Sequence, residues 1–302
     1  MESYQSLYLK AHHPLEFLVA VANNFGGFYR TEFYLHEAKR AGAVIEAPCV
    51  NMSGEWCSLM RTDRRIHLGL AHIKGLTSDT VHAVLDERRR HGPFTDLQDL
   101  LRRVPLELEQ ARLLVRAGAL RFTGRSKPQL LWDLALLHRP ARVGAGHDLF
   151  TTRVEEPALP PLHHHPLADA YDELELLGFP LCDPFALVDE TADTIPTDLP
   201  HIGTRDMPQH IGRRVTMRGY LIHVKTTSTH HGQQMTFGSF IDPAGDFWDS
   251  TQFPQVAARH PFRGRGVYLL AGVVEEEFGH CALRTEWSMK LPWKPDPRYG
   301  AE

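Results

Sequence analysis

The stretch IKGLTSDTVHAVLDER, residues 73–88, sets an apolar residue, a glycine, a second apolar residue and a helix-forming run in succession. Gly75 permits a tight backbone turn that a residue with a Cβ disfavours. The N–H groups opening the next helix can then face a phosphate, helped by the helix dipole. Lys74 adds a point charge beside them. Lys74, Gly75, Leu76 and Thr77 are the candidate DNA-phosphate contacts, in the shape of a helix-hairpin-helix. The commonest such hairpin carries a second glycine two positions later; Thr77 stands there and can equally cap the helix.

A second surface is readable downstream. Phe237, Phe240, Phe247, Trp248 and Phe253 lie among strand-like runs that also carry Arg218, Lys225, Arg263 and Arg265. Proteins that hold single strands combine stacking aromatics with a cationic groove. A small barrel also fills its interior with aromatics, so about half of the five are expected inside. The candidates for contact with a single strand are Arg218, Lys225, Phe237, Trp248, Arg263 and Arg265.

Other chemistry finds less support. The histidine runs at 12–13, 163–165 and 230–231 are adjacent residues, whose side chains diverge, whereas zinc pairs use wider spacings. No metal site is expected, and a histidine-rich metal hydrolase ranks last among the functions considered. AGHD (145–148) and DPAGD (242–246) supply carboxylates without a partner in an acid–base context. No phosphate-binding loop, nucleophile elbow or Cys/His nucleophile motif is present. Cys49, Cys57, Cys182 and Cys281 are scattered and read as reduced thiols, buried rather than reactive.

The elements that must position these residues follow from pattern and punctuation. Residues 3–24 predict a helix interrupted near Pro14, and a second helix follows from Thr31 with Gly42 as its stop. VIEAPCVN is a short extended piece. Residues 66–139 predict short helices joined through Gly75, Gly92–Pro93, Pro105 and Gly118. Residues 140–166, with five prolines, form a linker, and a further helix opens after Pro166. From residue 213 the pattern becomes five short strands with one helical segment, which suits an OB-type barrel better than a seven-stranded immunoglobulin-like sandwich.

At 302 residues, 42% hydrophobic and 23% charged, the chain has the composition of a globular protein. It shows no signal-peptide pattern and no apolar run near the ~20 residues of a membrane span, and it reads as cytoplasmic. The net charge of −4 hides a division. Residues 61–145 hold 16 Lys+Arg against 9 Asp+Glu, a candidate footprint for phosphates.

Three stretches together resemble the bacterial DNA polymerase III alpha subunit, especially its error-prone and short-form types. They are SYQSLYLKAHHPLEFLVAVANN, LGLAHIKGLTSDTVHAVLDERRRHGPFTDLQDLLRRV, and LELLGFPLCDPF with GYLIHVKTTSTHHGQQMTFGSFIDPAGDFWDSTQFP and FRGRGVYLLAGVVEEEFG. The first is similar to the end of that family's fingers, the second to its helix-hairpin-helix region, the third to its linker and OB region. The resemblance implies that Lys74, Gly75, Leu76 and Thr77 face duplex DNA, with Arg88, Arg89 and Arg90 as candidate flanking cations or a solvated helix end. The resemblance implies an α+β, multi-domain chain, with a helical helix-hairpin-helix region followed by a five-stranded OB-type β-barrel. The expected divisions are a fingers remnant (1–60), a DNA-binding helix-hairpin-helix domain (61–140), a Pro-rich linker with a helix (141–210), the OB domain (211–292) and a tail (293–302).

The family's PHP domain and its palm, whose aspartates hold two metal ions for nucleotidyl transfer, find no counterpart in these 302 residues. No cofactor is therefore expected in this chain, with Mg²⁺ expected only in the palm. The implied partners are DNA, as primer–template and single strand, and a second polymerase chain carrying the PHP and palm domains. The tau-binding tail of replicative members is likewise not expected. The alternative is a stand-alone, non-enzymatic single-strand-binding or repair accessory protein. That alternative expects Tyr4, Tyr8 and Phe17 to be buried within the chain; the polymerase reading expects them exposed.

Overall fold

In a computed structural model the chain is described at residues 2–24, 29–137, 162, 164–189, 198–228 and 232–299. Helices α1 (Glu2–His12) and α2 (Pro14–Asn23) break at Pro14, as its missing N–H requires, and α3 spans Thr31–Arg40. Gly42, at φ +91°, ends α3 by the backbone bond from its N–H to the Lys39 carbonyl. Strands β1 (Val44–Glu46), β2 (Ser58–Met60) and β3 (Arg65–His67) make a small sheet of order β1-β3-β2. Helices α4 (Ser78–His91), α5 (Leu97–Arg103), α6 (Leu108–Arg116), α7 (Lys127–Leu137) and α8 (Pro166–Leu176) follow. Strands β4 (Arg214–Ser228), β5 (Gln234–Ile241) and β6 (Phe247–Gln252), helix α9 (Pro254–Arg259), and strands β7 (Val267–Glu277) and β8 (His280–Lys290) complete the order. Among the described residues no helix is long and apolar enough to cross a membrane.

The chain divides into two compact units that interleave in sequence: Met1–Val44 with Leu181–Pro295, and Ile45–Pro180 with Asp296–Glu302. This differs from the sequence-based division in three places. Residues 1–44 belong with the barrel, residues 45–60 with the helical unit. Helix α8, expected in a linker, buries Ala170 and Leu176 in the helical unit. Ile202 and Met207, also assigned to the linker, join the barrel core. The prolines of 140–161 lie outside the described residues.

In the helical unit the apolar stripes converge on a core that includes Ile73, Val84, Leu100, Leu114, Leu120 and Leu134. Asp96 caps α5 by accepting the Asp99 N–H at 2.7 Å. A cluster of charge joins α6, α7, α8 and the last residues. The buried Asp172 carboxylate takes Arg116, Lys127 and Arg298, the last at 2.7 Å.

The second unit is built on a closed barrel of order β4-β5-β6-β8-β7, with β6 and β8 parallel and the other pairs antiparallel. This is the expected OB topology, α9 lying between its third and fourth strands. Phe240 and Trp248, opposite each other on β5 and β6, stack at 4.7 Å inside the barrel. Gly219 makes room for them: a Cβ there would lie 2.7 Å from Trp248 Cζ2 and 2.8 Å from Phe240 Cβ. The outer face is covered as well. Tyr220, Ile222, Ile241 and Leu269 are buried with Phe33 of α3 packed against them. Glu32 of α3, only 1% exposed, accepts the Tyr220 hydroxyl at 2.8 Å and pairs with Arg265 at 3.2 Å.

Candidate nucleic-acid interface

The hairpin of the helical unit forms where the sequence places it. Ile73 is buried and Lys74 is exposed, while the Lys74 N–H donates to the Leu176 carbonyl at 2.8 Å, satisfying a carbonyl at the end of α8. Gly75 sits at φ +83°, a left-handed conformation that costs other residues about 1–2 kcal/mol. The Leu76 N–H closes the turn onto the Ile73 carbonyl at 3.2 Å. Thr77, extended at φ −77° and ψ 150°, caps α4 by accepting the Thr80 N–H at 3.3 Å. Among the described residues the Ser78 and Asp79 N–H groups, opening α4, have no partner inside the protein. These are the donors an anion meets at a helix N-terminus.

Gln110 of α6 was not legible as part of this site. Its Oε1 accepts the Thr77 N–H at 2.8 Å and its Nε2 donates to the Gly75 carbonyl at 3.1 Å, across 33 and 35 residues of sequence. Asp79 is the second addition: it puts a carboxylate in the first turn of α4, beside the candidate phosphate position.

The three arginines stand elsewhere. Arg88–Arg90 end α4, about 18 Å along the helix from Thr77 at 1.5 Å per residue, so they do not flank the turn. Arg88 donates to the Val50 and Ser53 carbonyls at 2.6 and 2.8 Å and holds that loop. Arg89 pairs with Asp86. The basic surplus of the region is largely spent internally: Arg102, Arg103, Arg112, Arg116, Arg121, Arg125 and Lys127 all face carboxylates of this unit. Among the described residues Lys74 and Arg90 make no ion pair.

On the barrel the register brings two candidates together. Lys225 of β4 stands opposite Phe237 of β5, which stands opposite Thr251 of β6. Directly opposed residues share a face, and Lys225 and Phe237 are both exposed, Phe237 at 39%. The neighbouring row is His223, Ser239 and Asp249, with the Ser239 hydroxyl donating to Asp249 Oδ1 at 2.7 Å. Burial, with Arg30 and Lys225 nearby, holds the His223 imidazole below its usual range, so it is neutral near pH 7.

Trp248, expected exposed, is 1% exposed and lies in the barrel core. Phe240 is core too and Phe247 packs on Phe33 at 5.0 Å, which leaves Phe237 and Phe253 of the five aromatics at the surface. Arg265, expected on a single strand, is committed to buried Glu32. Arg218 is half-buried, and Arg263 is exposed. Phe278 escaped sequence reasoning: fully exposed at the tip of the β7–β8 hairpin, it carries φ +52° beside Gly279 at +79°.

Two histidines of the 163–165 run take structural roles at the start of α8. His165 caps α8 by accepting the Leu167 N–H, and His164 pairs with Asp169. His163, His230, His231 and the AGHD segment lie outside the described residues. Among the described residues no three His, Cys, Asp or Glu side chains gather as a metal site. In DPAGD, Asp242 accepts the Ala244 and Asp246 N–H groups and Asp246 pairs with Arg205. Asp242 is engaged by the turn and Asp246 by the Arg205 and Arg40 guanidinium groups. Cys57 is buried as expected, but Cys182 is exposed.

Residues 42–130 match the helix-hairpin-helix motif family. Over 269 residues the chain is 29% identical to an error-prone DNA polymerase of Mycobacterium bovis, covering 85% of this chain and 23% of that protein. It is 28% identical over 279 residues to a DNA polymerase III subunit alpha of Treponema pallidum, with coverage of 85% and 23%. The chain thus spans less than a quarter of the length of these curated relatives. Among solved structures, the second OB-fold domain of replication protein A from Methanococcus maripaludis matches at 11% identity and a TM-score of 0.22, covering 28% of this chain and 90% of that one. The chain is related in sequence to error-prone DNA polymerases and to DNA polymerase III alpha subunits.

Proposed function

We propose that this chain is a DNA-binding portion of a polymerase of the DNA polymerase III alpha type, serving replication or error-prone repair synthesis. The Lys74–Thr77 turn would hold duplex product by its phosphates, and the Lys225–Phe237 face would meet single-stranded template. The aspartates and Mg²⁺ of nucleotidyl transfer would be supplied by PHP and palm domains outside these 302 residues. The observation that carries the reading is the built hairpin, with its left-handed Gly75 and open α4 N-terminus, in a chain related to these polymerases over 85% of its length.

The outer face of α1 supports a protein partner. Tyr4 and Tyr8 are 82% and 58% exposed, with Leu7 exposed beside them and Phe17 half-buried. Several large apolar side chains on one exposed helix suit a covering surface. The alternative, a stand-alone single-strand-binding accessory protein, draws on the Lys225–Phe237 face alone.

The test is fluorescence anisotropy of labelled single strand, duplex and primer–template junction across a salt series. The polymerase reading expects preference for the junction, with affinity falling steeply as salt rises. Preference for single strand with no gain at a junction would favour the accessory protein. No binding to any of the three by the folded chain would reject both.

A further inference from the structure

We propose that Gln110 is the positioning residue of the hairpin, setting which backbone groups Lys74–Thr77 present to a phosphate; this rests on the duplex-binding reading above. A hairpin turn offers a phosphate both attraction and repulsion: its N–H groups are positive ends, its carbonyls negative ones. Gln110 reaches across from α6 and takes one of each. Its Nε2 donates to the Gly75 carbonyl at 3.1 Å, engaging the negative end that glycine's left-handed conformation exposes. Its Oε1 accepts the Thr77 N–H at 2.8 Å. The Ser78 and Asp79 N–H groups are left outward at the start of α4. A primary amide is the side chain that donates and accepts at once. Gln110 thereby ties the turn to α6 on one side while Thr77 caps α4 on the other.

The test uses the full chain and four single substitutions, one of them Lys74→Ala, which reports on the hairpin itself. Gln110→Ala removes both bonds. Gln110→Glu keeps the acceptor for Thr77, loses the donor to Gly75 and adds a negative charge. Gln98→Ala on α5, exposed and with no hydrogen bond to the hairpin among the described residues, is the control. Duplex and single-strand affinities are read by anisotropy, and protection of the Thr77 amide by hydrogen exchange.

Gln110→Ala is expected to expose the Thr77 amide to exchange and to weaken duplex binding about 3–10-fold, the worth of one or two hydrogen bonds. Single-strand affinity and the salt slope should stay unchanged, because no phosphate-pairing charge is lost. Gln110→Glu should weaken duplex binding at least as much, most strongly at low salt. A folded Gln110→Glu that binds duplex like the wild type overturns the proposal. So does Gln110→Ala with duplex affinity intact while Lys74→Ala weakens it. If Lys74→Ala and Gln110→Ala both leave duplex affinity untouched, the hairpin reading itself fails.

Discussion

Arg265→Ala separates a structural cation from a DNA-binding one. The Arg265 guanidinium lies 3.2 Å from the Glu32 carboxylate, and the two side chains are 23% and 1% exposed. Glu32 also accepts the Tyr220 hydroxyl. Burial and that carboxylate push the Tyr220 phenol far above its ordinary range, so it remains a donor at any working pH. Removing Arg265 leaves Glu32 charged and nearly dry, with one hydroxyl and the imidazole of His36 at 3.9 Å as its company. Breaking one partner of a buried pair costs about 3–5 kcal/mol. Water reaching the quarter-exposed Arg265 site places this case near the lower end, about 3 kcal/mol. For a unit of this size each kcal/mol shifts the midpoint by about 2–4 °C, so melting should fall by roughly 6–12 °C. Circular-dichroism melting measures it, and single-strand anisotropy is run at a temperature where the variant is folded. Adding Glu32→Gln should recover part of the loss, because it removes the stranded charge, with a coupling of about 1–3 kcal/mol. The reasoning fails if Arg265→Ala melts like the wild type and binds single strand more weakly; Arg265 would then be a DNA contact.

Three further predictions concern other parts of the molecule. Asp79→Asn removes a carboxylate from the open end of α4 and should tighten duplex binding several-fold at low salt, by about the 0.3–1 kcal/mol of a charge at a helix end or more; unchanged affinity would place the phosphate elsewhere. Phe278→Asn puts a residue suited to the left-handed region at the β7–β8 turn and should raise stability by about 1 kcal/mol, read by denaturant midpoint. In the helical unit, the Arg298 hydrogen bond holds Asp296 below its usual range and Arg116 does the same for Glu175. Carboxylates with lowered folded values stabilise above their unfolded range and lose that contribution as pH falls through the folded values. Melting of this unit should therefore drop most steeply below about pH 4, beyond the gentler loss below about 6.5 that the half-buried His72 imidazole, held below its usual range, adds, and Arg298→Ala should flatten the steep acid limb.

What could be read from sequence was what depends on neighbours along the chain. Gly75, Thr77, Gly42 and Pro14 act within a turn of their own positions, and each does what its type requires. The barrel was legible because strand length, DPAGD and the helical segment before β7 are local too. Parity showed that Phe237 and Phe240 point to opposite faces, but not which face is inside. The covered outer face of β4 and the register shift between Leu221 and His223 hide that answer. Arg265 looked like a groove cation because its partner Glu32 belongs to a helix at the other end of the chain; the Glu32–Tyr220 bond alone spans 188 residues. The strands Ser58–Met60 and Arg65–His67, three residues each, are too short to show alternation.

The interleaving of the two units has a consequence for synthesis. Residues 45–180 are a nearly continuous unit and can begin to fold as they leave the ribosome. Residues 1–44 cannot, because the barrel that buries Phe33 and Glu32 is finished only near residue 295. At about 5–20 residues per second, some 250 intervening residues keep α2 and α3 waiting for roughly 12–50 s. For that interval Phe33 and Glu32 of α3 lack the surface that covers them, and a holding chaperone has a defined target. Slowing translation within β4–β8 should lengthen the wait and lower the yield of folded chain, whereas slowing it within α4–α7 should cost less per codon, since a unit there is already closing.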